Sequence, residues 1–216
     1  MDLKELENNI HSCILCSEIL SEYNISPKPI FSGSSKAPIM LIGQAPGITE
    51  YKLGKPFKGA TGNSIKLLFN LCGINDFDNL VYQTSVTKCF PGRKINLSTD
   101  RLPSQKEVIS CTPFLLKQIE ILKPKIIVCL GMLSWKTLIT LKNKEQLNFS
   151  QITYNQSISK LTTKDIIGKS FLYKNSIVIP MIHPSGAANG SRSKNKIAHE
   201  KSIELLKNKI KQLEII

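Results

Sequence analysis

Between residues 43 and 62 the sequence runs GQAPGITEYKLGKPFKGATG, with glycines at 43, 47, 54, 59 and 62 and prolines at 46 and 56 directly behind the apolar run PIMLI. Glycines let the backbone approach another group closely and prolines stiffen it, so the pattern builds a rigid pocket lined by main-chain amides. Neither G-x-G-x-x-G nor G-x-x-x-x-G-K-[ST] stands in the right place, which argues against a dinucleotide or Walker-type phosphate cradle. Phe57 sits in this loop, where packing alone does not demand an aromatic. It either stacks on a planar ligand or plugs the core.

Cysteine offers a second chemistry. Six cysteines in a reducing compartment serve as metal ligands, core residues or catalytic thiols rather than disulfides. Cys13 and Cys16 form a C-x-x-C pair, whereas Cys72 and Cys129 fall inside apolar helix and strand patterns and read as core. With 29 Lys and Arg against 16 Asp and Glu, the formal charge of +13 favours a polyanionic partner, nucleic acid or an acidic membrane. No apolar run approaches the roughly 18 residues of a membrane span. The N-terminal MDLKELENNIHSC reads as the polar start of a helix rather than a signal peptide, so an intracellular, cytoplasmic protein is expected.

The elements that position these residues follow from periodicity. Apolar, β-branched runs at 38–43, 80–86, 125–131 and 176–182 are hydrophobic at both alternating sets of positions, as in strands covered on both faces. Helical patterns separate them: NSIKLLFNLCGI, SQKEVISCTPFLLKQIEILK and LSWKTLITLKN. This alternation predicts a three-layer α/β/α sandwich around a central, mainly parallel four-stranded sheet, with ligands gathered at the carboxyl ends of the strands. The glycine-rich stretch falls at such an end. Residues 142–175 are polar and poorly periodic, a loop excursion or short hairpin, and the C-terminal residues form a basic amphipathic helix. The whole chain, 1–216, reads as a single domain.

The pattern G-x-A-P-G-x-x-E-x-x-x-G-x-P-F-x-G-x-x-G, filled by Gly43, Ala45, Pro46, Gly47, Glu50, Gly54, Pro56, Phe57, Gly59 and Gly62, closely resembles the first motif of the uracil-DNA glycosylase superfamily. It most resembles the iron-sulfur branch, family four. HPSGAAN at 183–189 looks like the second superfamily motif, TSVTKC at 84–89 like the strand carrying the base-reading residue, and KPKIIVCLG like the next family strand. The resemblance runs from about residue 10 to about residue 190. It implies that Cys13, Cys16, Cys89 and Cys111 form an N-terminally anchored [4Fe-4S] site of structural purpose. Zinc would use the same four residues, and spacing leaves it as the alternative. The loop between Cys89 and Cys111 is longer here than the family usually shows.

Breaking a base–sugar bond develops oxocarbenium character on the sugar and negative charge on the base, and needs the nucleotide outside the duplex. The resemblance implies His183 as donor to the base carbonyl, with Gln44 beside it in the catalytic loop. Gly43, Ala45, Gly47, Phe57 and Ser85 would bind the flipped base, Phe57 by stacking. Three residues depart from superfamily forms: Ala45 stands where several branches carry a water-activating acid or amide, Gln44 replaces a glutamate, and Ser85 replaces the asparagine that reads uracil. A serine is shorter and offers one donor, so uracil discrimination should weaken. Lys88, Ser185, Gly186, Asn189, Arg192 and Lys194 are the candidate DNA contacts. The loop after the histidine carries only Ala187 and Ala188 where relatives wedge a bulky residue into the helix, which favours single-stranded or distorted DNA. The expectation is therefore a monomeric, monofunctional glycosylase for uracil or a related deaminated base, with no membrane partner. The alternative is a catalytically weak relative that binds nucleic acid or a modified base without cleavage.

Overall fold

The computed structural model describes residues 1–93, 99–144, 160–184 and 188–216. The chain opens with α1 (Leu3–His11), capped by the Asp2 carboxylate accepting from the Glu5 amide at 2.8 Å, and the short α2 (Ser17–Ser21). Strand β1 (Ile39–Gly43) then leads through α3 (Ile48–Leu53), α4 (Gly59–Leu71) and α5 (Phe77–Leu80) to β2 (Val81–Ser85). Helix α6 (Gln105–Leu122) starts at a capping box, in which Ser104 Oγ accepts from the Glu107 amide and the Glu107 carboxylate accepts from the Ser104 amide. After it come β3 (Ile126–Leu130), α7 (Met132–Lys144), α8 (Thr163–Ile166), β4 (Phe171–Tyr173), β5 (Ser176–Met181), α9 (Asn189–Lys194) and α10 (Lys196–Gln212).

The sheet has the order β2-β1-β3-β5-β4. Its first four strands run parallel, and β4 pairs antiparallel with β5. Five strands thus stand where the sequence predicts four. The extra one, Phe171–Tyr173, buries Phe171 and Tyr173 and exposes Leu172, an alternation only three residues long and too brief to register as a periodic run. It forms a hairpin with β5 through the left-handed Lys174 (φ 51°), so the short-hairpin reading of this stretch holds for its described end. Residues 145–159 of the same stretch lie outside the described residues.

Period-2 alternation sorts each parallel strand into two cores. Met40, Ile42, Tyr82, Ile127 and Val178 face the side covered by α1, α6 and α7, with Leu115, Ile119, Trp135 and Leu138 packed on them. Ile39, Leu41, Val81, Val128 and Ile179 face the other side, against Ile65 and Phe69 of α4 and Leu206 and Ile210 of α10. Cys72 and Cys129 are buried in these cores, as their apolar settings imply. Ser202, Leu206 and Ile210 recur every four residues along α10 and seat its inner face, and Ser202 Oγ donates to the Pro180 carbonyl at 3.0 Å. On the outer edge of β2, Ser32 forms a two-bond bridge with Gln83, and the Ile30 amide donates to the Lys88 carbonyl at 2.8 Å.

Because β2 lies on one side of β1 and β3 on the other, connections diverge at the carboxyl end of β1 and leave a crevice there. Register places Gly43 opposite Ser85, and Leu130 opposite Met181, along this one edge.

Candidate active site

The glycine-rich loop is built around the Phe57 ring and one carboxylate. Beyond β1, the Val86 amide donates to the Gly43 carbonyl at 3.0 Å and the Thr87 amide to the Gln44 carbonyl at 3.2 Å, so the loop leaves the sheet held to β2. Glu50 accepts from the Gly47 amide through Oε2 (3.0 Å) and from the Lys58 amide through Oε1 (2.9 Å), pinning both ends of the segment with one side chain. Phe57 adopts a left-handed backbone (φ 46°). A Cβ at Gly62 would land on the Phe57 carbonyl, and a Cβ at Gly43 would come within 3.2 Å of the ring tip. Gly62 is therefore required by the Phe57 main chain, Gly43 leaves room for the ring, and that half-buried ring lies over the end of β1.

A cleft of about 800 Å³ opens at the carboxyl ends of the strands. Gly43, Gln44, Ala45 and Gly47 line one wall with Phe57, and Ser85 and His183 line others, so all seven residues predicted for catalysis and base binding share it. Ser85 is buried, and its Oγ donates to the Thr87 carbonyl at 2.7 Å. His183 follows β5; burial first, and the Arg192 charge second, hold its pKa below the ordinary histidine value, so the imidazole is neutral at neutral pH.

Asp100, Arg101 and Met132 also line the cleft, and none was singled out from sequence. Asp100 Oδ2 accepts from the Ile48 amide at 3.2 Å, and Oδ1 lies 3.5 Å from Arg93 Nε, so the long loop after Cys89 is latched to the glycine-rich loop. Arg101 makes a bidentate pair with Glu107 at 2.7 and 2.8 Å and lies over the Tyr23 ring at 4.2 Å. Only the unusual length of that loop hinted at a role, because it carries no motif and no periodicity.

The predicted DNA contacts divide. Lys88 is corrected: its side chain is buried and Nζ donates to the Ser85 carbonyl at 2.5 Å, so it supports the cleft from behind and is not presented to a phosphate. Burial lowers its ammonium pKa to about 8. Arg192 is turned inward, Nη1 donating to the His183 carbonyl at 2.7 Å and Nη2 to the Asn189 side-chain oxygen. Asn189 and Lys194 are exposed on α9. Ser185, Gly186 and Ala187 lie outside the described residues.

Cys13, Cys16, Cys89 and Cys111 line one cavity, although they come from the end of α1, the start of α2, the loop after β2 and the first half of α6. Among the described residues no three His, Cys, Asp or Glu side chains close on a single ion, so the thiols share walls rather than a point. Burial pushes Cys89 up to about 12 and Cys16 up to about 11, and in both the neighbouring thiols add to the rise. Half-buried thiolates gathered around one cavity are thus unfavourable together without a cationic centre. The Lys88 amide donates to Cys111 Sγ at 3.2 Å, and the buried Thr87 hydroxyl, lining the same cavity, has no hydrogen-bond partner among the described residues. Glu107 reaches the cavity but is committed to Arg101. A soft donor set with spare N–H and O–H donors fits a thiolate-held metal group.

A family model described as the uracil DNA glycosylase superfamily matches residues 30–207. A type-4 uracil-DNA glycosylase of Pyrobaculum aerophilum is 36% identical over 144 residues, 67% of this chain and 68% of that one. One from Sulfurisphaera tokodaii is 33% identical over 190 residues, 86% of this chain and 75% of the relative, and one from Saccharolobus solfataricus is 32% identical over 187 residues, 86% and 77%. The chain belongs to the uracil-DNA glycosylase superfamily.

Proposed function

We propose that the chain is a monofunctional DNA glycosylase that hydrolyses the bond between uracil and deoxyribose, opening base excision repair. The observation that carries this reading is the convergence of His183, the glycine-rich loop and Phe57 on one cleft at the strand ends, in a chain whose relatives bear that name. In this reading a flipped base stacks on Phe57, main-chain amides around Gln44 fix its edge, and Gly43 and Gly47 let the backbone come close. Neutral His183 donates a hydrogen bond to the base carbonyl on which charge develops as the bond breaks, and water completes the sugar. Asn189 and Lys194, on the exposed side of α9, hold the backbone of single-stranded or distorted DNA. The protein acts as an intracellular monomer, one domain over its whole length.

Cys13, Cys16, Cys89 and Cys111 would hold a [4Fe-4S] cluster. When bound, it supplies a cationic, structural cross-link and no step of hydrolysis. The four residues then tie the N-terminal segment to α6 and to the loop whose far end, Asp100, latches the glycine-rich loop.

One observation favours the second reading, binding without cleavage. Ala45 carries no acid, and the two carboxylates that line the cleft among the described residues, Glu50 and Asp100, are engaged by main-chain amides. Single-turnover excision of uracil from single- and double-stranded oligonucleotides, wild type beside His183→Ala, decides between them. Release by the wild type that is lost in the variant supports the glycosylase. Intact DNA with folded, metal-replete protein and undiminished lesion binding supports the binder.

A further inference from the structure

Ser85 stands at the last position of β2, opposite Gly43, and lines the cleft that Phe57 and His183 share. Its hydroxyl and its main-chain carbonyl already have partners on the protein. The hydroxyl hydrogen is given to the Thr87 carbonyl at 2.7 Å, and the Ser85 carbonyl accepts from the buried Lys88 ammonium at 2.5 Å. The neighbouring Thr84 hydroxyl is likewise spent, on Gln118 Oε1 at 3.1 Å. What the Ser85 side chain offers a ligand is therefore a lone pair on Oγ, an acceptor.

An acceptor at this point sorts bases by one atom. Uracil, hypoxanthine and xanthine are lactams and present a ring N–H there. Cytosine and adenine present a bare ring nitrogen, whose lone pair would face the Oγ lone pair across a buried contact. The side chain is also short. A purine carries its hydrogen-bonding edge farther from the sugar than a pyrimidine does, and a serine reaches less far toward that edge than an asparagine would.

We infer that Ser85 makes this a cleft for deaminated bases as a class, purine lactams included, read by their ring N–H rather than by a complete uracil edge. The inference rests on the glycosylase-type base site proposed above. Guanine and thymine carry the same N–H, so this contact does not set them apart in a single strand; within a duplex a mispaired deaminated base leaves the stack at lower cost than a matched one.

Binding tests the inference apart from cleavage. Single-stranded oligonucleotides carrying one 2′-fluoro nucleotide, whose glycosidic bond resists hydrolysis, are compared with uracil, hypoxanthine, cytosine or adenine as the base. Expected for the wild type is binding of uracil and hypoxanthine within about tenfold of each other, and each at least about tenfold tighter than cytosine or adenine, the worth of one buried hydrogen bond. Ser85→Ala, checked for folding by circular dichroism, lowers the hypoxanthine-to-adenine ratio at least about fivefold. Ser85→Asn, with the longer side chain, shifts preference toward uracil over hypoxanthine by about tenfold. Hypoxanthine bound no better than adenine, or a ratio untouched in Ser85→Ala, overturns the assignment. Excision run in parallel separates the two ideas: selective binding without release counts against the glycosylase and leaves the selectivity of Ser85 standing, whereas uracil release with no hypoxanthine selectivity does the reverse.

Discussion

Arg192 Nη1 donates to the main-chain carbonyl of His183 at 2.7 Å. The arginine that sequence reasoning gives to a phosphate thus grips the backbone of the histidine it follows by nine residues, and its charge adds to burial in keeping that imidazole neutral. If neutral His183 is the working form, activity stays level as pH falls through the ordinary histidine value of about 6.5 and drops only at the depressed pKa. Arg192→Ala removes the smaller of the two causes, so the acidic drop moves to higher pH while burial still holds it under the ordinary range. The loosened carbonyl costs about tenfold in the plateau rate. A pH–rate profile of the variant that overlays the wild type would show that Arg192 does not act through His183. The same depression makes folding pH-dependent: the stabilisation from a neutral His183 is full above the unfolded value and is lost as pH falls through the folded one.

The two glycines against Phe57 should fail differently. At Gly62 a Cβ meets a main-chain carbonyl that cannot turn aside, so Gly62→Ala displaces the loop and lowers Tm by several degrees, a loss of about 1–3 kcal/mol. At Gly43 the Cβ meets only the ring tip at 3.2 Å. Gly43→Ala keeps its melting temperature and instead raises KM, since the ring tilts where a base would stack. Equal melting curves for both variants would contradict this account.

Metal removal should be felt in stability before activity. If the proposed cluster sits on the four thiols, Cys89→Ser lowers the iron content and the visible absorption of the purified protein and shifts thermal unfolding downward, because the N-terminal segment loses its tie to the loop after β2. Thr87→Val keeps the four thiols but removes the buried hydroxyl that faces them. Its expected mark is a shifted reduction potential or electron paramagnetic resonance spectrum at unchanged iron content. An unaltered spectrum would assign the Thr87 hydroxyl elsewhere.

Salt dependence separates the lysines. Each phosphate contact contributes about 0.7 to the slope of log affinity against log salt for single-stranded DNA. Lys194→Ala, at an exposed position of α9, is expected to lower the slope by about that amount. Lys88→Met, behind Ser85, leaves the slope unchanged whatever it does to stability.

These cases show what the sequence carries and what it lacks. Strands β1, β2, β3 and β5 were legible because each is apolar on both faces, and their common end placed the glycine-rich loop and His183 together. Phe57 was legible as either a stacking platform or a core plug; its half-buried ring, lying in the cleft wall and packed against β1, has something of both. Lys88 misled because a lysine beside a predicted site reads as a surface cation, and only tertiary packing shows it turned under the strand. Asp100 was invisible for the opposite reason, since its importance lies in one hydrogen bond to Ile48 across the fold. Strand β4 was missed because three residues cannot display a period.

That same three-residue strand, together with Ser32, has a bearing on self-association. A sheet edge is a row of open amides and carbonyls on which another chain can crystallise its own strand, and long flat edges seed aggregates. Here the β5 side ends in a strand of three residues turned at Lys174, while the β2 side is interrupted by the two-bond bridge to Ser32 and the Ile30 amide on Lys88. Neither margin offers a foreign strand an uninterrupted ladder, so the fold carries its own guard against edge-to-edge polymerisation.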